Sequence, residues 1–171
     1  MFSKSFQKAG LVAAAFTLSA PVFVSTAIAA DNADAQATAT IVQAIGLTNG
    51  GDLAFGSLVI DAATAGTVVI AADGTKSSTG GVTTTTAQAT SAAQFTVTGT
   101  TGYAYTVTLP ASASLSDGGT ATMTVDTFTE NSTGTLTTGS ETFGVGGTLN
   151  VTAGQTAGTY TGTFNVSVAY N

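Results

Sequence analysis

The sequence predicts an antiparallel all-β sandwich. Three observations carry that prediction. Apolar residues alternate at period two through most of the chain. Turn signals interrupt them at intervals of ~8–12 residues. The composition favours strands: threonine supplies about a fifth of the 171 residues, while Lys, Arg and Glu are scarce. Thr and Val suit strands because a branched Cβ fits a pleated surface. An up-and-down barrel is the alternative that the same spacing allows.

The elements follow in order. Ala35–Leu47 opens the domain as a strand, with Ala37, Ala39 and Ile41 alternating with Thr38, Thr40 and Val42. Asn49-Gly50-Gly51 reads as a turn. Asp52–Ile60 is the next strand, with Leu53 and Phe55 on one face and a bulge or bend at Gly56 that lets Leu58 and Ile60 continue it. Thr67–Ala71 is a short strand closed by the tight-turn pair Asp73-Gly74. Ser77–Thr90, rich in Thr, Ser and Gly, reads as a surface loop or weak edge strand. Ala93, Phe95 and Val97 alternate, Gly99–Gly102 turns the chain, and Tyr103, Tyr105, Val107 and Leu109 return as the second arm of a hairpin that Pro110 ends.

Asp117-Gly118-Gly119 turns into a strand carrying Ala121, Met123 and Val125, with a change of phase before Phe128. Leu136, then Phe143 and Val145, then Leu149 and Val151 suggest three short strands, with Gly144-Val145-Gly146-Gly147 as a hairpin turn between them. Thr159–Tyr170 closes the chain with the longest alternation: Tyr160, Gly162, Phe164, Val166, Val168 and Tyr170. Phe55, Phe95, Tyr105, Val107, Phe164 and Val166 are the expected core. No repeat of fixed period indicates a solenoid.

The N-terminus predicts export. Lys4 and Lys8 precede an apolar run from Leu11 to Val24, interrupted by Pro21, and Ala27-Ile28-Ala29 supplies a small-residue exit. Basic start, short apolar middle and A-x-A exit form a cleavable secretory signal over 1–29. Residues 30–36 are then a short extension and 37–171 the β-sandwich domain. The expected location is the periplasm, cell surface or exterior. No later segment is apolar enough to span a membrane as a helix.

Charge and residue types narrow the function. All nine acids lie beyond the signal, against one basic residue there, Lys76. Phosphate neutralisation needs clustered Lys and Arg, so nucleic acid is not an expected partner. The chain has no Cys, His, Arg or Trp. Ser-His-Asp and Cys-His arrangements are therefore ruled out. Lys76 beside Ser77 and Ser78 reads as a solvated loop lysine rather than a Ser-Lys dyad. Asp126 with Glu130, and Asp52 with Asp61, read as solubilising carboxylates rather than glycosidase pairs. Asp117, Asp126 and Glu130 offer a weak calcium possibility without the loop motif such sites use. The expectation is a protein that is not an enzyme and has no cofactor.

Leu53-Ala54-Phe55-Gly56-Ser57-Leu58, Ser91–Gly99 and Ala157–Tyr170 together resemble the DUF4402 family of exported bacterial proteins, over about Ala37–Asn171. The same start and finish more distantly resemble the spore coat protein U domain and subunits of chaperone–usher pili. That likeness implies an immunoglobulin-like sandwich lacking one strand, filled first by a periplasmic chaperone and then by a neighbour's N-terminal extension. It implies a structural or adhesive surface subunit that self-associates. The candidate residues for strand addition are Ala37, Ala39 and Ile41 on the donor side. Gly158, Tyr160, Phe164, Val166, Val168 and Tyr170 are those of the acceptor strand. A monomeric extracellular binding module for glycan or matrix is the alternative, and an exported hydrolase a distant third.

Overall fold

The computed structural model describes residues 31–171. The signal expected over 1–29 lies outside the described residues. Residues 31–39 are exposed and carry no regular structure. Thr40–Asn171 form the folded unit.

That unit is all-β and antiparallel, with no helix among the described residues. Its strands are β1 (Gly46–Gly51), β2 (Leu58–Ile60), β3 (Gly66–Ile70), β4 (Lys76–Gly80), β5 (Val82–Thr84), β6 (Ala93–Thr98), β7 (Tyr105–Thr108), β8 (Ser112–Ser116), β9 (Thr122–Glu130), β10 (Ser140–Val151) and β11 (Ser167–Tyr170). Seven of them form one curled sheet with the path β1-β6-β10-β3-β4, to which β9 and then β8 attach through β10. Two ribbons, β7–β11 and β2–β5, complete the fold.

β10 organises the sheet. Its first half pairs with β6, from Ser140↔Thr98 to Val145↔Ala93. Its second half lies between β3 and β9, with Leu149 opposite both Val68 and Val125. Two apolar clusters form on this frame. Val68, Ile70, Val125, Leu149 and Val151 gather with Phe55 and Val82 in one. Val97, Leu136, Phe143, Val145 and Tyr105 form the other, with Val107, Phe164, Val166 and Val168 packed against it. Fully burying each large side chain stabilises the fold by roughly 1.5–3 kcal/mol relative to exposure. There is no disulfide to supplement this, since the chain has no cysteine.

Several expected elements are present. Asp73-Gly74 is a tight turn, with Gly74 N–H donating to Ala71 O and Gly74 at φ 86°. Phe55, Leu58 and Ile60 reach one cluster across Gly56, whose φ of 73° makes the phase change. The change of phase before Phe128 is a bulge at Thr127, at φ 50°, where the β9–β10 register shifts. Ser77–Thr90 contains β5 and all of β4 but its first residue, Lys76, which pairs with Ile70 at the sheet edge rather than lying in a loop.

Four expectations need correction. The opening strand does not begin at Ala35: β1 starts at Gly46, and residues 31–44 are exposed without a ladder. Ala and Thr side chains there bring too little apolar surface to hold the segment down alone. Asn49-Gly50-Gly51 is the end of β1, with a register shift opposite β6, rather than a turn. The Ala93–Val97 and Tyr103–Leu109 strands do not form a hairpin, because β6 pairs with β1 and β10 while β7 pairs with β11. Gly99–Gly102 carries the chain between layers, so the two apolar faces meet across the core. Alternation is satisfied equally by that arrangement and by pairing side by side.

The fourth correction concerns glycine. Gly144–Gly147 lies inside β10, not in a turn. A Cβ on Gly144 would stand 2.0 Å from Ala72 O, and one on Gly146 would stand 2.1 Å from Ile70 O. These glycines permit close backbone approach where neighbouring elements cross the long strand.

Candidate functional groove

The last stretch of the chain departs most informatively from expectation. Thr159–Tyr170 keeps its alternation: Tyr160, Phe164, Val166, Val168 and Tyr170 are half-buried, and the residues between the last four are exposed. Yet only Ser167–Tyr170 joins a ladder, with Val168 opposite Val107. Upstream, Thr161 exchanges both backbone hydrogen bonds with Ser116, at 2.9 and 2.8 Å. Between these two anchors, Gly162, Thr163, Phe164 and Asn165 have no backbone partner among the described residues.

This segment walls a groove of about 800 Å³. Gln155–Phe164 forms one wall, and Asn49–Leu58 contributes much of the other. The floor is apolar: Phe95, Leu115, Met123, Val125 and Leu149. The second wall also carries unpaired main chain. Ala54 exchanges hydrogen bonds with Ser91 at 2.9 and 3.0 Å, and Leu53 and Phe55 have no backbone partner among the described residues. Successive extended residues direct their backbone groups to opposite edges, so a strand paired at one residue frees its neighbours on the other side.

The candidate residues fall at different places. Gly158 is exposed at the groove, close to Asp117 and Tyr160. The Tyr160 hydroxyl donates to Thr156 O at 2.8 Å and accepts from Gln155 Nε2 at 3.0 Å. Phe164 packs tilted against Phe128 with centroids 4.9 Å apart and meets Phe95 edge-on at 6.4 Å. Val166 and Val168 pack on the second cluster rather than in the groove. Tyr170 lies further along: its hydroxyl donates to Gln43 O at 3.0 Å and accepts from Thr100 N–H at 2.6 Å. Ala37, Ala39 and Ile41 are exposed, Ile41 to 96%.

Polar groups elsewhere are structural. Glu141 accepts from Tyr105 Oη at 2.8 Å and from Thr133 N–H and Oγ1 at 2.6 and 2.8 Å. Burial and the Glu141 hydrogen bond push the Tyr105 hydroxyl up to about 12. Burial pulls Glu141 upward, but the three donors outweigh it and hold the carboxyl below its ordinary range. Asp117, Asp126 and Glu130 do not converge. Asp117 caps the β8–β9 turn, Asp126 accepts from Asn150, and Glu130 binds Ser132 N–H. No group of three potential ligands able to hold a metal exists among the described residues. No helix of the described residues is long and apolar enough to cross a membrane.

The wall Asn49–Leu53 and the floor residues Leu115 and Met123 were not among the candidates read from sequence. The weak alternation after Gly51 was the available signal, because an edge that ends in glycine and Asp52 has no partner implied by its pattern.

The architecture is thus an all-β domain with an open groove, apolar on its floor, between stretches of main chain unpaired among the described residues. Its sequence matches the model of a domain of unknown function, DUF4402, over residues 45–170, and the chain belongs to that family. No curated protein and no solved structure matches it. The more distant likeness to spore coat protein U and pilus subunits rests on the residues quoted above alone.

Proposed function

We propose that this protein is an exported structural subunit that associates by adding a strand in the groove, and that it carries out no catalysis. One observation carries the reading. Gly162–Asn165 continues the line of β11 with unpaired N–H and C=O groups beside an apolar floor. Backbone polar groups that lack a protein partner must bind water or another chain. An unprotected edge of this kind recruits a strand, and proteins that assemble by strand addition use main-chain bonds for affinity and apolar sites for register. The residue inventory supports the non-catalytic part, since residues 31–171 offer no His, Cys or Arg. Export follows from the N-terminal pattern, and an edge of this kind calls for a holding partner in transit, as a periplasmic chaperone provides.

The substitution Phe164→Pro tests it, with Phe164→Leu as control. Thr161 gives its backbone groups to Ser116, so Gly162 and Phe164, at alternate positions, turn theirs to the other edge, and the Phe164 N–H has no partner among the described residues. Both variants lose the ring, and only proline removes the N–H. Electron microscopy of the wild type and of Phe164→Leu should show assemblies, and Phe164→Pro should give dispersed particles with the same far-ultraviolet dichroism spectrum as Phe164→Leu. Equal assembly by Phe164→Pro and Phe164→Leu would refute strand addition at this edge.

A further inference from the structure

We infer that the outer edge of β4 is a second strand-pairing surface, self-complementary to β4 of another copy of this chain and held shut by the ammonium of Lys76. It lies apart from the groove, none of whose lining residues belongs to β4. β4 ends the path of the main sheet, so one of its edges has no neighbouring strand among the described residues. Which residues face that edge follows from the two ends of the β3–β4 hairpin. Ala71 N–H donates to Thr75 O at 2.9 Å, and Gly81 N–H donates to Ala65 O at 3.0 Å. Bonded and non-bonded pairs alternate along an antiparallel ladder. Ser77 and Thr79 therefore give their backbone groups to β3, and Lys76, Ser78 and Gly80 turn theirs outward. A second β4 laid antiparallel about Ser78 sets Ser78 against Ser78 and Lys76 against Gly80. Every outward residue then meets an outward residue. Centring the pair on Ser77 or on Thr79 leaves Gly80 or Lys76 without a partner in the strand.

The place of Lys76 closes this edge. It is the one basic residue after position 8. Lys76 lies opposite Ile70 and Ser78 opposite Val68, and both partners are fully buried. Directly opposed side chains share a face of the sheet. Lys76 therefore projects along the core side, where it is half-buried. A strand added beyond β4 would cover that side and take the ammonium out of water, which is costly for a charge left without a partner. The acid at the far end of the strand is Asp61, whose N–H donates to Gly81 O at 2.7 Å. Its Oδ1 already accepts from the Ala63 and Thr64 N–H groups. Gly80, at φ 68°, also bends that end. Short strands, bends and inward-pointing lysines are the means by which sheet edges are kept from pairing. The groove wall Gly158–Phe164 has no charged residue at all. The single lysine thus confines strand addition to the groove.

Sedimentation equilibrium of protein produced from the full-length sequence, carrying Phe164→Pro, reads this edge without the groove. Phe164→Pro alone should stay monomeric. Adding Lys76→Met, which keeps the apolar stem and removes the charge, should give a dimer, and Lys76→Gln should do the same. Lys76→Arg, which keeps the charge, should remain monomeric. Ser78→Pro on top of Lys76→Met should restore the monomer. The Ser78 N–H faces outward, so proline removes it without breaking the ladder to β3. Monomers at every concentration for both Lys76→Met and Lys76→Gln would overturn the inference. So would a dimer that survives Ser78→Pro, because the pairing would then lie elsewhere. A dimer formed with Lys76→Arg would mean that charge does not close the edge. A dimer formed by Phe164→Pro alone and lost in Lys76→Met would make Lys76 a clamp and overturn its role as a barrier. The same series without Phe164→Pro separates the two readings. If the groove accepts no strand, the unaltered chain is monomeric and Lys76→Met still dimerises.

Discussion

Tyr170 fastens Gln43: the penultimate side chain donates its hydroxyl to a backbone carbonyl 127 positions earlier, at 3.0 Å. The same oxygen accepts from Thr100 N–H, and the ring meets Tyr103 at a centroid distance of 5.6 Å. The C-terminal strand therefore sets where the exposed N-terminal segment leaves the domain. Tyr170→Phe keeps the ring and removes both hydrogen bonds. It should cost about 1–3 kcal/mol, at roughly 0.5–1.5 kcal/mol per bond. Denaturant titration checks this, and an unchanged midpoint would show that water replaces both bonds without loss.

Phe143 and Phe164 should separate in a truncation experiment. Phe143 is 2% exposed and stacks on Phe95 at 5.9 Å, so Phe143→Ala should cost about 3–5 kcal/mol. Phe164 is half-buried at the groove, and Phe164→Ala should cost clearly less in stability. Thermal unfolding of the two variants side by side reads the difference.

Gly146→Ala should destabilise by about 1–3 kcal/mol or more, the usual scale for overpacking. The added methyl meets the Ile70 carbonyl and the Ala71–Ala72 peptide, which are backbone and cannot swing aside. Gly119→Ala is the comparison, since its nearest neighbour is the movable Asp117 carboxylate at 3.3 Å. Urea midpoints should fall sharply for the first and little for the second.

Acid should weaken the fold. Glu141 is held low by the Thr133 and Tyr105 donors against the pull of burial. Asp61 is held low by the Ala63 and Thr64 N–H groups, and Asp73 by Thr75. A carboxyl whose folded pKa is depressed contributes stability above its unfolded pKa and loses it as pH falls through the folded value. The melting temperature should therefore drop from about pH 4 downward. Tyr105 has the opposite sign: its raised pKa contributes below the unfolded value near 10 and is lost as pH rises through about 12. Glu141→Gln should flatten part of the acid limb.

How much of this was legible in the sequence depended on what alternation encodes. It reports which side chains face inward, and Phe55, Tyr105, Val107 and Phe164 do reach the clusters. It does not report which strand lies alongside. Val97 and Tyr105 therefore read as a hairpin and proved to face one another across the core. Glycine misled in the same way. In Gly144–Gly147 it marks crossing backbones rather than a turn, and the sequence does not contain the carbonyls of Ile70 and Ala72 that explain it. The groove was half legible. The Thr159–Tyr170 wall followed from its pattern, but the opposite wall and the floor depend on long-range pairing of β1, β9 and β10.

The mass of the native protein as a function of concentration, by sedimentation equilibrium, tests the central claim most directly. The account predicts species heavier than the monomer, growing with concentration and lost in the Phe164→Pro variant. A single monomeric mass up to the highest concentration, with one cooperative unfolding transition, would mean the groove accepts no strand, and the reading as an assembling subunit would fall.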